Sequence, residues 1–266
     1  MDAIGINLLG KQAAGQHAGE SLLKNCPPRK SPATICVYDR RSMESPHLEP
    51  ASPSDPLSPP EELVNALTHA LGLALSIVGT AILLDRATRY GTTLQMIGVS
   101  IYGATLVALY AASTLSHAFT QPRLRHLFRT VDQVCIFLLI AGTFTPISFT
   151  YLHHGWWWSL FAAIWVLALA GIFCKLFYTR LKSVTVGAYI LLGWLPITAA
   201  KPILATVPSA VLWWMLAGGV LYTIGTVFLM RDNRVPFFHA AWHLFVIGGS
   251  ACHYCAVMIA LPTASG

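Results

Sequence analysis

Seven long apolar runs follow one another along this chain: Leu63–Leu84, Leu94–Phe119, Val131–Leu152, Trp156–Phe177, Val184–Ala200, Ser209–Met230 and Phe238–Leu261. Crossing about 30 Å of hydrocarbon takes roughly 20 residues of α-helix. Most of the runs reach that length. The fifth is the shortest and contains Pro196. Only 11 % of residues are charged, against roughly 25 % in soluble proteins, and mean hydropathy is +0.59. The expected fold is therefore all-α, an integral membrane bundle of seven transmembrane helices. Short connections make consecutive helices up-and-down neighbours. The halves show no inverted repeat of the kind that many transporters use.

Residues 1–60 differ in composition. Pro, Ser and scattered charge dominate, and the stretch Ser-Pro-His-Leu-Glu-Pro-Ala-Ser-Pro-Ser-Asp-Pro at 45–56 suits neither helix nor strand. A disordered polar tail is expected there, followed by one membrane domain over 61–266. The tail lacks the charged start, apolar run and cleavage site of a signal peptide.

A net charge of +6 and a pI near 9.1 taken alone would point to nucleic acid as a partner. The distribution of that charge argues for membrane topology instead. Connections after the second, fourth and sixth runs carry Arg123, Arg125, Arg129, Lys175, Arg180, Lys182, Arg231 and Arg234. The alternate connections carry only Arg86, Arg89 and Lys201. Excess Lys and Arg mark the cytoplasmic side, so the N-terminus is expected inside and the C-terminus outside. Membrane lipids, rather than nucleic acid, are the expected partners. The six cysteines have no framework spacing, and four of them (135, 174, 252 and 255) lie in apolar stretches as packing residues. A thiolate pair at Cys252 and Cys255 would be expensive inside an apolar helix, so no redox role is expected.

Ionisable side chains in membrane segments are costly and point to function. His239 and His243 stand four residues apart at the start of the seventh run. One helical turn separates them, so both imidazoles face the same way and could share a metal ion. With the inferred topology, His117 falls in the last turn of the second helix and Ser113 one turn deeper. Asp132 is expected in the first turn of the third helix. These groups thus meet at one depth, near the cytoplasmic face. Three neutral imidazoles (His117, His239, His243) match a catalytic zinc site with one open position. Zinc lowers the pKa of water from 15.7 to about 7. Asp132 is placed as general base or as an orienting group, and Ser113 as a hydrogen-bond donor to water or to a developing oxyanion.

Asn65 and His69 lie on one stripe of the first helix with Gly72, Ser76 and Gly79. They are candidate residues behind the ligands or against a substrate. His253 lies ten residues past His243, about 15 Å deeper at 1.5 Å per residue, and cannot share the same ion. It is a candidate for a polar contact within the bundle. Pro146 should kink the third helix. The seventh run has no lysine for a retinal Schiff base.

Glu61-Glu62-Leu-Val-Asn65-Ala-Leu-Thr-His69, Ser113-Thr-Leu-Ser-His117, the Asp132 to Pro146 segment with Gly142-Thr-Phe-Thr-Pro146, and His239-Ala-Ala-Trp-His243 on to His253 together resemble the hemolysin III family. These are bacterial relatives of the progestin and adipoQ receptors. Gly193-Trp-Leu-Pro196 and the Gly218 to Gly225 segment fit as well. The resemblance covers about 61–261 and implies a bacterial inner-membrane protein with zinc near the cytoplasmic face. It implies His117, His239 and His243 as ligands, with Asp132 and Ser113 beside the water. Gln133 departs from the bacterial pattern, in which histidine usually follows the aspartate. Three functions follow as expectations: a zinc-dependent hydrolase of lipid amides or esters, a pore-forming cytolysin, or a receptor-like membrane-homeostasis sensor with structural zinc.

Overall fold

A computed structural model describes residues 59–152, 157–178 and 182–263. In order, the helices are α1 (Pro59–Tyr90), α2 (Thr93–Ala118), α3 (Pro122–Tyr151), α4 (Trp157–Phe177), α5 (Lys182–Trp194), a 3-10 turn (Leu195–Ala199), α6 (Ala200–Thr206), α7 (Ser209–Leu229) and α8 (Phe238–Ala260). Among the described residues there is no strand. The segment α5–α6 acts as one span, so seven helices are long and apolar enough to cross a membrane. An all-α chain suits that setting, because a helix satisfies its own backbone hydrogen bonds where no water can. The expected tail lies outside the described residues, apart from Pro59 and Pro60, which already belong to α1.

Two helices run well past their apolar cores. α1 continues to Tyr90, and α3 starts at Pro122, nine residues before the apolar run. Hydropathy marks only the lipid-facing length, whereas a helix continues until its ends are capped. Proline at the start of α3 fits a first turn whose amide would be unpaired anyway. Asp132 is therefore not in the first turn, as expected, but ten residues in, about 15 Å along the axis. α2 begins with a capping box: Gln95 N–H donates to Thr92 Oγ1 at 3.3 Å, and Thr92 N–H to Gln95 Oε1 at 2.9 Å. The helix of α3 runs unbroken through Pro146. The fifth span does break. Pro196 offers no amide donor, and the chain tightens into the 3-10 turn before resuming as α6.

α2 and α3, α7 and α8, and α1 and α2 form the most extensive helix pairs, while α5 and α6 pack loosely. α1 buries Glu62, Asn65, His69, Gly72 and Ser76 and exposes Leu63, Leu67, Leu71 and Leu75. Polar groups face the bundle and leucines face outward, the arrangement expected in lipid, where apolar surface has no reason to hide. Gly72 is required by close approach: a Cβ there would overlap the ring of Tyr110. That ring is buried and held by its hydroxyl, which donates to Ser250 Oγ at 2.9 Å. Gly72→Ala should lower the melting temperature in detergent, at a cost of about 1–3 kcal/mol for overpacking. An unchanged melt would show that the ring gives way freely.

Candidate metal centre

Two helix ends meet at one end of the bundle. The last turn of α2 supplies His117, and the first two turns of α8 supply His239 and His243. Each offers a ring nitrogen, and the three lie within 4.8 Å of one another. Ring centroids are 4.9 Å apart for His117 and His239, 5.1 Å for His117 and His243, and 4.6 Å for His239 and His243. The rings are splayed at 60–70°. Such a nearly equilateral, non-stacked triangle could hold a metal ion.

The outward nitrogens test the fit. Glu62 Oε2 accepts from His117 Nδ1 at 2.6 Å, and Asp232 Oδ2 accepts from His239 Nδ1 at 2.8 Å. His243 Nδ1 meets Thr68 Oγ1 at 3.1 Å. The Thr68 hydroxyl proton is already directed at the carbonyls of Val64 and Asn65, so here Thr68 accepts. All three rings thus carry their proton on Nδ1, and Nε2 keeps a lone pair. A metal requires that tautomer, and carboxylate partners behind a ligand histidine fix its ring and raise its basicity. Glu62 and Thr68 both stand on α1, so α1 backs the triangle. The Nε2 edges of His117 and His243 turn away from it.

The supports are charged and braced. Glu62 also faces Arg129 at 3.2 Å and Arg125 at 3.4 Å. Asp232, in the connection between α7 and α8, binds Lys182 at 2.6 and 2.8 Å. Burial pushes the Asp232 carboxyl up, but hydrogen bonds from His239 and Lys182 outweigh it and hold the group below its ordinary value. The residue before α8, Phe237, has φ of 61°, a left-handed conformation that bulky side chains seldom adopt. Its amide donates to Glu61 Oε1 at 2.9 Å. That bond ties the start of α8 to α1, which helps to hold the strained turn.

The remaining expected residues divide. Ser113 is fully buried, with Asp132 beside it. Asp132 does not belong to the histidine group. His69 stacks on His243 with centroids 3.5 Å apart, and neither of its ring nitrogens has a partner. Asn65, buried on the same stripe, has both amide atoms unpaired. His253 stands apart, with Nε2 bonded to the Met215 carbonyl at 3.2 Å. Sequence reading missed Glu62, Thr68 and Asp232 as supports. Glu62 carried one signal, an acidic residue three positions before Asn65 on the buried stripe. Asp232 carried none, because a loop aspartate among basic residues reads as ordinary surface charge.

An apolar cavity of about 360 Å³ begins one turn deeper than Ser113 and Asp132. Leu109 and Ile136 line it there, and Trp242 and Val246 line it beside His243. Gly193 and Pro196 of the broken fifth span form another wall, and His253 lies at its deeper part.

The profile of a family described as "Haemolysin-III related" matches residues 57–254. "Hemolysin-3" of Bacillus cereus is 42 % identical over 208 residues, covering 77 % of this chain and 94 % of that protein. "Hemolysin-3 homolog" of Bacillus subtilis (strain 168) is 37 % identical over 199 residues, covering 74 % and 93 %. "Monocyte to macrophage differentiation factor" of Homo sapiens is 32 % identical over 209 residues, covering 74 % and 83 %.

Proposed function

The chain belongs to the haemolysin III-related family and is a multi-pass protein of the bacterial inner membrane, and from that premise we propose that it is a zinc-dependent hydrolase of an acyl-lipid amide or ester. The observation that carries the reading is the triangle of imidazoles, each with Nδ1 engaged from behind and Nε2 free. His117, His239 and His243 would hold zinc, leaving a position open on the side away from α1. Three nitrogen ligands favour zinc over magnesium or calcium, which prefer oxygen. A bound zinc ion supplies a Lewis acid and lowers the pKa of water to about 7.

The chain's own residues supply the rest. Asp132 takes a proton from the attacking water, Ser113 Oγ beside it donates to the oxyanion that forms at the acyl carbon, and the proton on Asp132 passes to the leaving amine or alcohol as the acyl bond breaks. The acyl chain lies in the apolar cavity one turn deeper. His253 touches that chain at depth, while His69 and Asn65 shape the polar wall on the α1 side. The excess of Lys and Arg in the connections at this end supports a cytoplasmic location for it.

The test is metal analysis and turnover on detergent-purified protein, prepared without chelator and with zinc supplied. About one zinc per chain is expected from a three-histidine set with one open position, with release of fatty acid from a panel of N-acyl and O-acyl lipids. Metal-free protein, or loaded protein inert on the whole panel, sinks the hydrolase. A second reading, membrane lysis, is favoured by one finding, the name "Hemolysin-3" of the Bacillus cereus relative. Erythrocyte lysis by a zinc-free His243→Ala variant separates the two.

A further inference from the structure

Glu62 occupies an unusual position for a carboxylate at a membrane edge. Its side chain is 9 % exposed, and a buried charge is strongly unfavourable unless it is paired and hydrogen-bonded. Its two oxygens divide the work. Oε2 takes His117 Nδ1 at 2.6 Å, while Oε1 faces the guanidinium groups of Arg129 at 3.2 Å and Arg125 at 3.4 Å. Arg125 is itself anchored, since its Nε donates to the Phe119 carbonyl at the end of α2 at 2.9 Å. The carboxylate therefore cannot swing. One oxygen is reserved for the imidazole by two cations on α3 that touch no ligand themselves.

His239 repeats the plan with different residues. Asp232 supports its Nδ1, and Lys182 at the start of α5 grips both carboxylate oxygens. Behind His243 stands the neutral Thr68 hydroxyl instead of a carboxylate. The negative charge behind the centre thus comes from two braced carboxylates of similar burial, and of the two histidines they support His117 is the more enclosed, 3 % exposed against 20 % for His239.

We infer that Glu62 is a positioning residue which sets the metal affinity of the centre through His117, and that Arg125 and Arg129 govern it by fixing the orientation of that carboxylate. The inference rests on the metal reading above and adds to it residues outside the ligand set. A carboxylate behind an imidazole holds the ring in register and strengthens its lone pair. Loss of such a partner lowers metal affinity about 10–100-fold. The arginines supply orientation, so replacing them with neutral residues weakens the same property without contact with a ligand.

The test is zinc affinity of the full-length protein in detergent, by competition with a chromophoric chelator, with thermal unfolding of the metal-free forms alongside. Glu62→Gln keeps the volume and can still accept from Nδ1, so the fold should survive; its affinity should fall about 10–100-fold with the metal-free melt little changed. Arg125→Gln/Arg129→Gln should lose affinity in the same direction, and Arg125→Lys/Arg129→Lys should restore most of it. Should Glu62→Gln fail to fold, the arginine pair still decides the matter. Zinc bound by wild type and by Glu62→Gln equally well overturns the inference and leaves the metal centre standing. Equal affinity in the neutral arginine variant overturns the role of the arginines. A wild type that binds no zinc overturns both readings.

Discussion

His243→Ala protein should come through purification without zinc under conditions in which wild type retains it. Zinc held by four ligands in small structural sites is worth about 10–16 kcal/mol of apparent binding energy, so one imidazole contributes roughly 3–4 kcal/mol. That loss is a weakening of about 100- to 1000-fold. His243 should show the full effect, because its ring is 1 % exposed and stands inside the triangle. His69 stacks on it with centroids 3.5 Å apart, so a His69→Ala/His243→Ala double variant removes the neighbouring imidazole as a substitute, and His253 is about 15 Å away along the helix. Lipid hydrolysis should vanish with the metal. Lysis of erythrocytes by His243→Ala at the wild-type level, with zinc gone, would separate lysis from the metal centre and support the lytic reading. Zinc retained in this variant at wild-type affinity would remove His243 from the ligand set.

Filling the cavity should have the opposite profile. Ile140 and Leu212 both line it, away from the histidines. Ile140→Trp/Leu212→Trp would occupy space that the proposed acyl chain needs. Excluding four methylenes at about 0.8 kcal/mol each removes roughly 3 kcal/mol of binding, or about 100-fold in affinity. Zinc content should stay at the wild-type level, and hydrolysis of long-chain substrates should fall by that factor. A short-chain substrate, which does not reach the filled part, should be spared. Equal loss on short and long chains would mean that the double variant distorts the bundle, and the cavity would no longer be assigned to the chain. Undiminished long-chain turnover would place the chain elsewhere.

The membrane architecture was legible because its physics is local. Twenty apolar residues in a row have few alternatives, and charge at their ends needs no partner to be read. His239 and His243 were legible for the same reason, since a spacing of four on one helix decides that two side chains share a face. The placement of Asp132 was only partly legible. Hydropathy does not see where a helix ends once it leaves the lipid, so the extra turns of α3 from Pro122 stayed hidden.

The supports behind the three histidines were the least legible part. Glu62 is 55 residues from His117, and Asp232 is 50 residues from Lys182. Neither pairing has a period or a spacing to betray it. Sequence alone therefore determined the membrane-spanning class, the family and the three histidines, all of which follow from local pattern. Only tertiary structure decided which nitrogen of each ring is free, which carboxylates brace them, and that a cavity lies one turn deeper. Those depend on how distant helices pack, and packing is a property of the assembled bundle rather than of any one segment.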